Sequence, residues 1–361
     1  RALFSLFFTP NTTSTWKMLI KYREEVVRLI SEAGFELAVP DLLDFEKIGL
    51  GGISSVFRVK LKDDASIAVK LTEMDVSHIS SELHNREIEF YEWVKSEGRV
   101  ADHLKCPKFY SGYACTDTMG IILMEDFSHL ICNDLDYLKG FSVDIALKLV
   151  RELTAFQCLL LSSSGVELKN RIDRFDYSSD VRNYLPRIDQ IEGISAEMRS
   201  KLNEWIEPVT LFKIQADIPP GVEGISRTLI HCDIHQENLL VYRNESEIDL
   251  LSIIDWQFFK IGNPLLDVAS ILGVSMTPED RREYTTTVLG VYLEEIEKRR
   301  AEFTKPFDMT FDKAHRLLNN AFRWACVQLT TDVVTTTNGK KEENPTEYDV
   351  TLLRLQELMK D

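Results

Sequence analysis

The sequence predicts an α+β chain of two lobes, a small antiparallel β-sheet lobe followed by a larger, mainly helical one. Three observations carry this expectation. Between Phe45 and Leu71 short alternating apolar runs are broken by a glycine-rich turn and by D-D-A-S, a period of two that reads as strands joined by turns. After Phe127 the apolar spacing lengthens to three and four over long segments, which is the period of amphipathic helix. Around H-C-D-I-H-Q-E-N, residues 231–238, a strand pair interrupts those helices, and helical spacing resumes from about Leu265.

Taken in order, W-K-M-L-I-K-Y-R-E-E-V-V-R-L-I at 16–30 predicts a helix ending near Gly34. Two β-rich runs flank G-L-G-G-I-S-S-V at 49–56, and I-A-V-K-L supplies a third strand. Residues 80–97 read as a helix stopping at Gly98, followed by strand candidates at 108–114 and 120–127. Residues 141–161 read as a long helix, and P-P-G-V-E-G at 219–224 as a loop. The expected organisation is an N-terminal helical extension over 1–40, a sheet lobe over 41–127 and a helical lobe over 128–361.

Composition narrows the classes of function. Apolar residues make up 44% and charged residues 28% of 361, values that suit a folded chain with a sizeable core. Lys and Arg number 42 against 58 Asp and Glu, and the net charge of −16 argues against a nucleic-acid partner. No apolar run reaches the roughly 18–20 residues that span a bilayer. The six cysteines are scattered without a C-x-x-C pair, which points to a reduced, cytoplasmic setting.

Three constellations carry chemistry. Glycines at 49, 51 and 52 permit tight backbone turning and let N–H groups approach phosphate oxygens, although a hairpin with no ligand uses the same residues. The loop precedes a strand instead of a helix, which speaks against a Walker loop or a Rossmann turn. Lys70 stands near the end of the third strand, where a phosphate-pairing lysine would stand; alone it reads more readily as an exposed edge charge. Glu87 on the next helix is its expected partner in preference to Glu89, because Ile88 and Tyr91 mark the apolar stripe beside it. The third is the densest. Asp233 and Asn238 in H-x-D-x-x-x-x-N, with Asp255 ending the run L-L-S-I-I-D, follow the pattern of a kinase catalytic loop and its metal aspartate. A carboxylate suits a base beside a hydroxyl, and Asn with Asp suits Mg²⁺.

These residues resemble the choline kinase/aminoglycoside phosphotransferase group, and within it the CHK kinase-like (ecdysteroid kinase-like) family of nematode type. That family carries H-G-D-x-W-x-x-N-I-L, I-I-D-W-Q and G-N-P-x-x-D-L; here the text is H-C-D-I-H-Q-E-N-L-L, I-I-D-W-Q and G-N-P-L-L-D-V. The resemblance implies a bilobal protein-kinase-like fold and ATP-dependent phosphorylation of a hydroxyl on a small molecule, with ATP and Mg²⁺ as cofactors. It implies that Asp233 is the catalytic base, that Asn238 and Asp255 hold the metal, and that Lys70 pairs the α/β-phosphates with Glu87 as its ion-pair partner. Ile48 to Ser54, with Gly49, Gly51, Gly52 and Ser54, would cover the nucleotide. Met124 to Phe127, with Glu125, would be the hinge against adenine, and His231 and Asp267 would support the catalytic loop.

Two letters depart from the family: Cys232 stands for its glycine and His235 for its tryptophan. Only six residues separate Asp255 from G-N-P, with no A-P-E segment, so no peptide platform is expected and the acceptor is a small molecule, whether sterol-, choline- or xenobiotic-like. A nucleotide-binding pseudokinase and a metal-dependent hydrolase built on His231, Asp233 and His235 are the alternatives. The sequence leaves the oligomeric state open.

Overall fold

A computed structural model describes residues 23–37, 45–50, 54–73, 79–97, 104–113, 119–132, 135–162, 188–189, 191–245, 247–337, 341 and 344–360. The first helix, α1, covers 23–32 and closes at Gly34, whose φ of 85° is the left-handed geometry that ends helices at glycine. Five antiparallel strands follow, β1 (Phe45–Leu50), β2 (Ser54–Lys60), β3 (Ser66–Glu73), β4 (Phe109–Tyr113) and β5 (Met119–Glu125), in the order β1-β2-β3-β5-β4. Helix α2 (Ile79–Ser96) connects β3 to the far side of this sheet.

The alternation in β3 decides which way its lysine points. Ile67, Val69 and Leu71 are buried under α1, together with Val26, Leu29 and Ile30. Ala68, Lys70 and Thr72 therefore face α2. A slip of one residue would expose all three aliphatics, at about 1.5–3 kcal/mol each, and turn Lys70 into the α1 core. The direction of Lys70 is thus fixed by its apolar neighbours.

The second lobe gathers α3 (Val143–Leu161), α4 (Ala196–Trp205), α5 (Pro208–Ala216), α6 (Leu266–Ser270), α7 (Pro278–Arg299), α8 (Phe311–Thr337) and α9 (Pro345–Leu358) around one large apolar core. Local sequence starts the last helices sharply. T-P-E-D puts Thr277 at the N-cap of α7, where its hydroxyl accepts the Asp280 N–H, and Pro278 opens the helix. N-P-T-E repeats the device for α9 with Asn344 and Pro345. Caps of this kind contribute about 1 kcal/mol each. Among the described residues no helix is long and apolar enough to cross a membrane.

Two small antiparallel pairs are set into this lobe: β6 (Thr228–Ile230) with β9 (Lys260–Gly262), and the hairpin β7 (Leu239–Asn244) with β8 (Glu247–Ile253). Residues 231–238 link β6 to β7, and Asp255 lies two residues beyond β8. The strand pairs thus bring the H-x-D-x-x-x-x-N stretch and Asp255 together.

Candidate active site

The loop after β6 is held from inside by Asp267 at the start of α6. Its carboxylate accepts the backbone N–H groups of His231 (2.8 Å) and Cys232 (2.9 Å), all three residues being buried. Burial pushes the Asp267 carboxyl up to about 6, while the two amides pull the other way. His231 donates Nε2–H to the Ile254 carbonyl (2.9 Å) and accepts the Asp233 N–H at Nδ1 (3.2 Å), so it ties the loop to the end of β8 as a neutral ring. Burial brings its pKa down to about 4, in keeping with that tautomer. Its edge also meets Trp256 at 4.5 Å. His231 and Asp267 thus tie the loop to the end of β8 and to the start of α6.

Cys232 takes φ 70°, the left-handed geometry a glycine adopts without strain. The departure from the family pattern thus leaves the backbone path that a glycine would follow. The side chain is fully buried. Asp233 comes next and is 4% exposed. Burial would raise its carboxyl pKa, yet the neighbouring His235 more than offsets that, and the pKa lies below the ordinary value. Its Oδ2 lies 3.3 Å from the Asn238 amide nitrogen and 3.6 Å from His235 Nε2. Its Oδ1 is buried without a hydrogen-bond partner among the described residues. Such an orphaned acceptor costs about 1–3 kcal/mol, which a donor brought by a ligand would recover.

The Asn238 amide nitrogen faces the Asp233 carbonyl (2.9 Å) and His235 Nε2 (3.1 Å), which turns its amide oxygen away from those groups. Its backbone carbonyl accepts the Ile254 N–H (2.9 Å), a direct tie to the segment carrying Asp255. His235 is 7% exposed and packs beside Asp233 and Asn238.

On the sheet side, Lys70 Nζ donates to Glu87 Oε2 (2.6 Å) and to Asp255 Oδ1 (2.7 Å). Lys70 and Glu87 are nearly fully buried, while the Asp255 side chain keeps 22% exposure. Burial opposes the charge on Lys70, but Asp255 and Glu87 together outweigh it and raise its pKa. Glu87 shifts upward because burial exceeds the help that Lys70 gives. Glu89 is only half-buried on the other side of α2, so the choice between the two glutamates is decided. Asp255 has φ 65°, and its Oδ2 accepts from the Gln257 amide (3.3 Å).

Gly51 and Gly52 lie outside the described residues. The strands that flank them are paired, with Gly49 opposite Val56 and Leu50 opposite Ser55, and Ser54 is buried opposite Thr72 of β3. Glu125 ends β5, with its N–H on the Lys108 carbonyl (2.9 Å) and its carboxylate accepting the Lys108 N–H (3.2 Å). The strongest fixture of the expected hinge is its neighbour. Asp126 accepts from Arg58 (2.9 Å), Ser66 (2.6 Å) and the Ser128 N–H (2.9 Å). Sequence reasoning passed over Asp126, although D-F-S, an acid with a partner two residues on, is the mark of an Asx turn.

Other supports were equally silent in the sequence. Arg86 on α2 donates to the Phe259 carbonyl and lies over the Phe259 ring, and Phe90 stacks on Trp256 at 4.2 Å. Gln328 of α8 reaches the Cys232 carbonyl at 3.5 Å and accepts from Ser270 (2.6 Å). Trp256 and Trp324 belong to the core. Among the described residues no group of three His, Cys, Asp or Glu side chains forms a ligand set for a transition metal.

Comparison with known proteins follows this geometry. Residues 53–361 match the family described as DUF1679, uncharacterized oxidoreductase dhs-27. The chain belongs to that family. A Caenorhabditis elegans protein called uncharacterized oxidoreductase dhs-27 is 24% identical over 254 residues, which is 66% of this chain and 30% of that protein's length. Among solved structures, the GDP and kanamycin complex of APH(2")-IIIa superposes with a TM-score of 0.52 at 13% identity, covering 93% of this chain and 98% of that one. The GDP complex of wild-type aminoglycoside 2'-phosphotransferase-IIIa gives 0.50 at 14% identity, covering 93% and 97%. These likenesses establish the bilobal kinase-like fold. The strand pairs described above are all antiparallel, and the glycine-rich turn joins two of them, unlike the parallel strand-turn-helix unit that binds dinucleotides.

Proposed function

We propose that the chain is an ATP-dependent kinase that phosphorylates a hydroxyl group of a small molecule, akin to the choline kinase and CHK kinase-like group. The observation that carries this reading is the convergence of Lys70, Glu87 and Asp255 with Asp233 and Asn238, drawn from four separate segments of the chain. The oxidoreductase name attaches to the family and to a relative of which this chain spans 30%.

Hard oxygen donors fit the chemistry of Mg²⁺: the Asn238 amide oxygen and the Asp255 carboxylate would hold it, and bound Mg²⁺ supplies charge neutralisation to the phosphates. Lys70, already charged and aimed between two carboxylates, would turn toward the α/β-phosphates while Glu87 keeps it oriented. Asp233 would orient the acceptor hydroxyl through its unpartnered Oδ1 and take the proton as the new oxygen–phosphorus bond forms and the bond to ADP breaks. Positioning and charge, more than proton transfer, would set the rate.

The test is ADP release by purified protein with ATP, Mg²⁺ and a panel of hydroxylated compounds, with mass spectrometry for a product heavier by one phosphoryl group. Acceptor-dependent ADP that Asp233→Asn abolishes is the expected result. Nucleotide binding without turnover on any acceptor would sink the kinase reading in favour of a pseudokinase.

A further inference from the structure

Beside the Lys70–Glu87 ion pair, β3 and α2 are joined a second time. His84 Nδ1 lies 3.0 Å from the Thr72 hydroxyl, and His84 Nε2 lies 3.2 Å from the Tyr113 carbonyl at the end of β4. Thr72 is two residues from Lys70 on one face of a strand, and His84 is three residues from Glu87 on one face of a helix. The two bonds therefore run side by side between the same two elements.

The tautomer follows from the partners. A carbonyl only accepts, so Nε2 carries the proton to Tyr113, and bare Nδ1 accepts the Thr72 O–H. Both ring nitrogens are satisfied at 1% exposure, and burial pushes the ring down to about 4, so this neutral form holds near neutral pH. The sheet is shaped to receive the ring. Gly120 is the β5 partner of Thr72, and a Cβ there would stand 2.3 Å from the imidazole. One turn further along α2, Ile88 meets Gly112 of β4 in the same manner, at 2.9 Å from a would-be Cβ. Two glycines thus form the seat on which α2 rests.

We infer that His84 is a positioning residue: seated over Gly120 and bonded to Thr72 and Tyr113, it fixes the distance between α2 and β3 and so sets the Lys70–Glu87 pair for nucleotide. This rests on the kinase reading above. A buried imidazole with two directional bonds fixes one register of helix on sheet, whereas an aliphatic residue would fill the space and allow sliding.

Thr72→Val is nearly isosteric and removes only the hydroxyl, leaving Nδ1 without its donor. It is expected to weaken ATP affinity about 5- to 10-fold in direct titration, to move the acceptor KM far less, and to speed amide exchange over 79–96. Thr72→Ser restores the hydroxyl and should recover most of the affinity. In a Glu87→Gln background, Thr72→Val should add little, because the clamp acts through that pair. A lowered melting temperature with unchanged ATP affinity, or effects that simply add in the double variant, would overturn the inference in favour of a plain packing role. If the unaltered protein binds no ATP, the kinase reading fails first; α2 exchange then decides the clamp by itself, equal rates in Thr72→Val and Thr72→Ser overturning it.

Discussion

The sheet side and the loop side of the site solve the problem of buried charge in opposite ways. Around Lys70 charge answers charge, with an ammonium held between Glu87 and Asp255. Around Asp233 the backbone does the holding: the Asp267 carboxylate grips two amides, His231 bridges to Ile254, and one oxygen of Asp233 keeps no partner. Lys70 has exchangeable ionic partners, and the loop of Asp233 is set on fixed backbone bonds. On the proposed reading, this difference would separate affinity, centred on Lys70, from turnover, centred on Asp233.

The largest effect should come from Asp233→Asn. It keeps size and burial but removes the basic oxygen, so kcat should fall by about 10²–10⁴ with ATP affinity nearly unchanged in a direct titration. Comparable losses of binding and turnover would erase the proposed division of labour. Next, Asp267→Ala strips the acceptor from two buried N–H groups and should cost roughly 2–4 kcal/mol in urea denaturation. Chemistry should fail there only as the fold fails, so retained stability would show that the loop is held by something else.

Acid should act on both sides at once. His84 and His231 have pKa values lowered to about 4 by burial, against 6.5 for a free ring. Between those values the unfolded chain binds protons that the folded chain refuses, so stability is present above pH 6.5 and is lost as pH falls through the window. Asp267, raised to about 6, works in the other direction, as do Glu87 and Asp332, whose carboxyls burial also raises. The histidine share is therefore read by removal: with His84→Gln the urea midpoint should fall less, or rise more, between pH 7 and pH 5 than in the unaltered protein, and an unchanged pH profile would mean that the His84 ring is not held neutral. The smallest effect is expected from Cys232→Gly. Relief of φ 70° and loss of a fully buried thiol oppose each other, so the melting temperature should change by the equivalent of about 1 kcal/mol or less.

Much of this was legible before any coordinates. Period two in I-A-V-K-L marks the strand that carries Lys70, the stripe of Ile88 and Tyr91 points to Glu87, and H-x-D-x-x-x-x-N marks the loop. Each depends on local periodicity or on spacing within one segment. The unread features are contacts between distant segments: Lys70 with Asp255 across 185 positions, Arg86 with Phe259 across 173, and Gln328 with Cys232 across 96. No local period encodes such a meeting.

The pairing of β9 with β6 has a consequence for Asp255. Thr228 lies opposite Gly262, Trp256 donates to the Ile253 carbonyl, and the span between is clasped by Arg86 and Phe90. A stretch stapled so tightly at both ends has no slack to swing out and back. Asp255 is therefore carried on a short span fixed at both ends, and on the proposed reading its side chain, not its backbone, would do the moving.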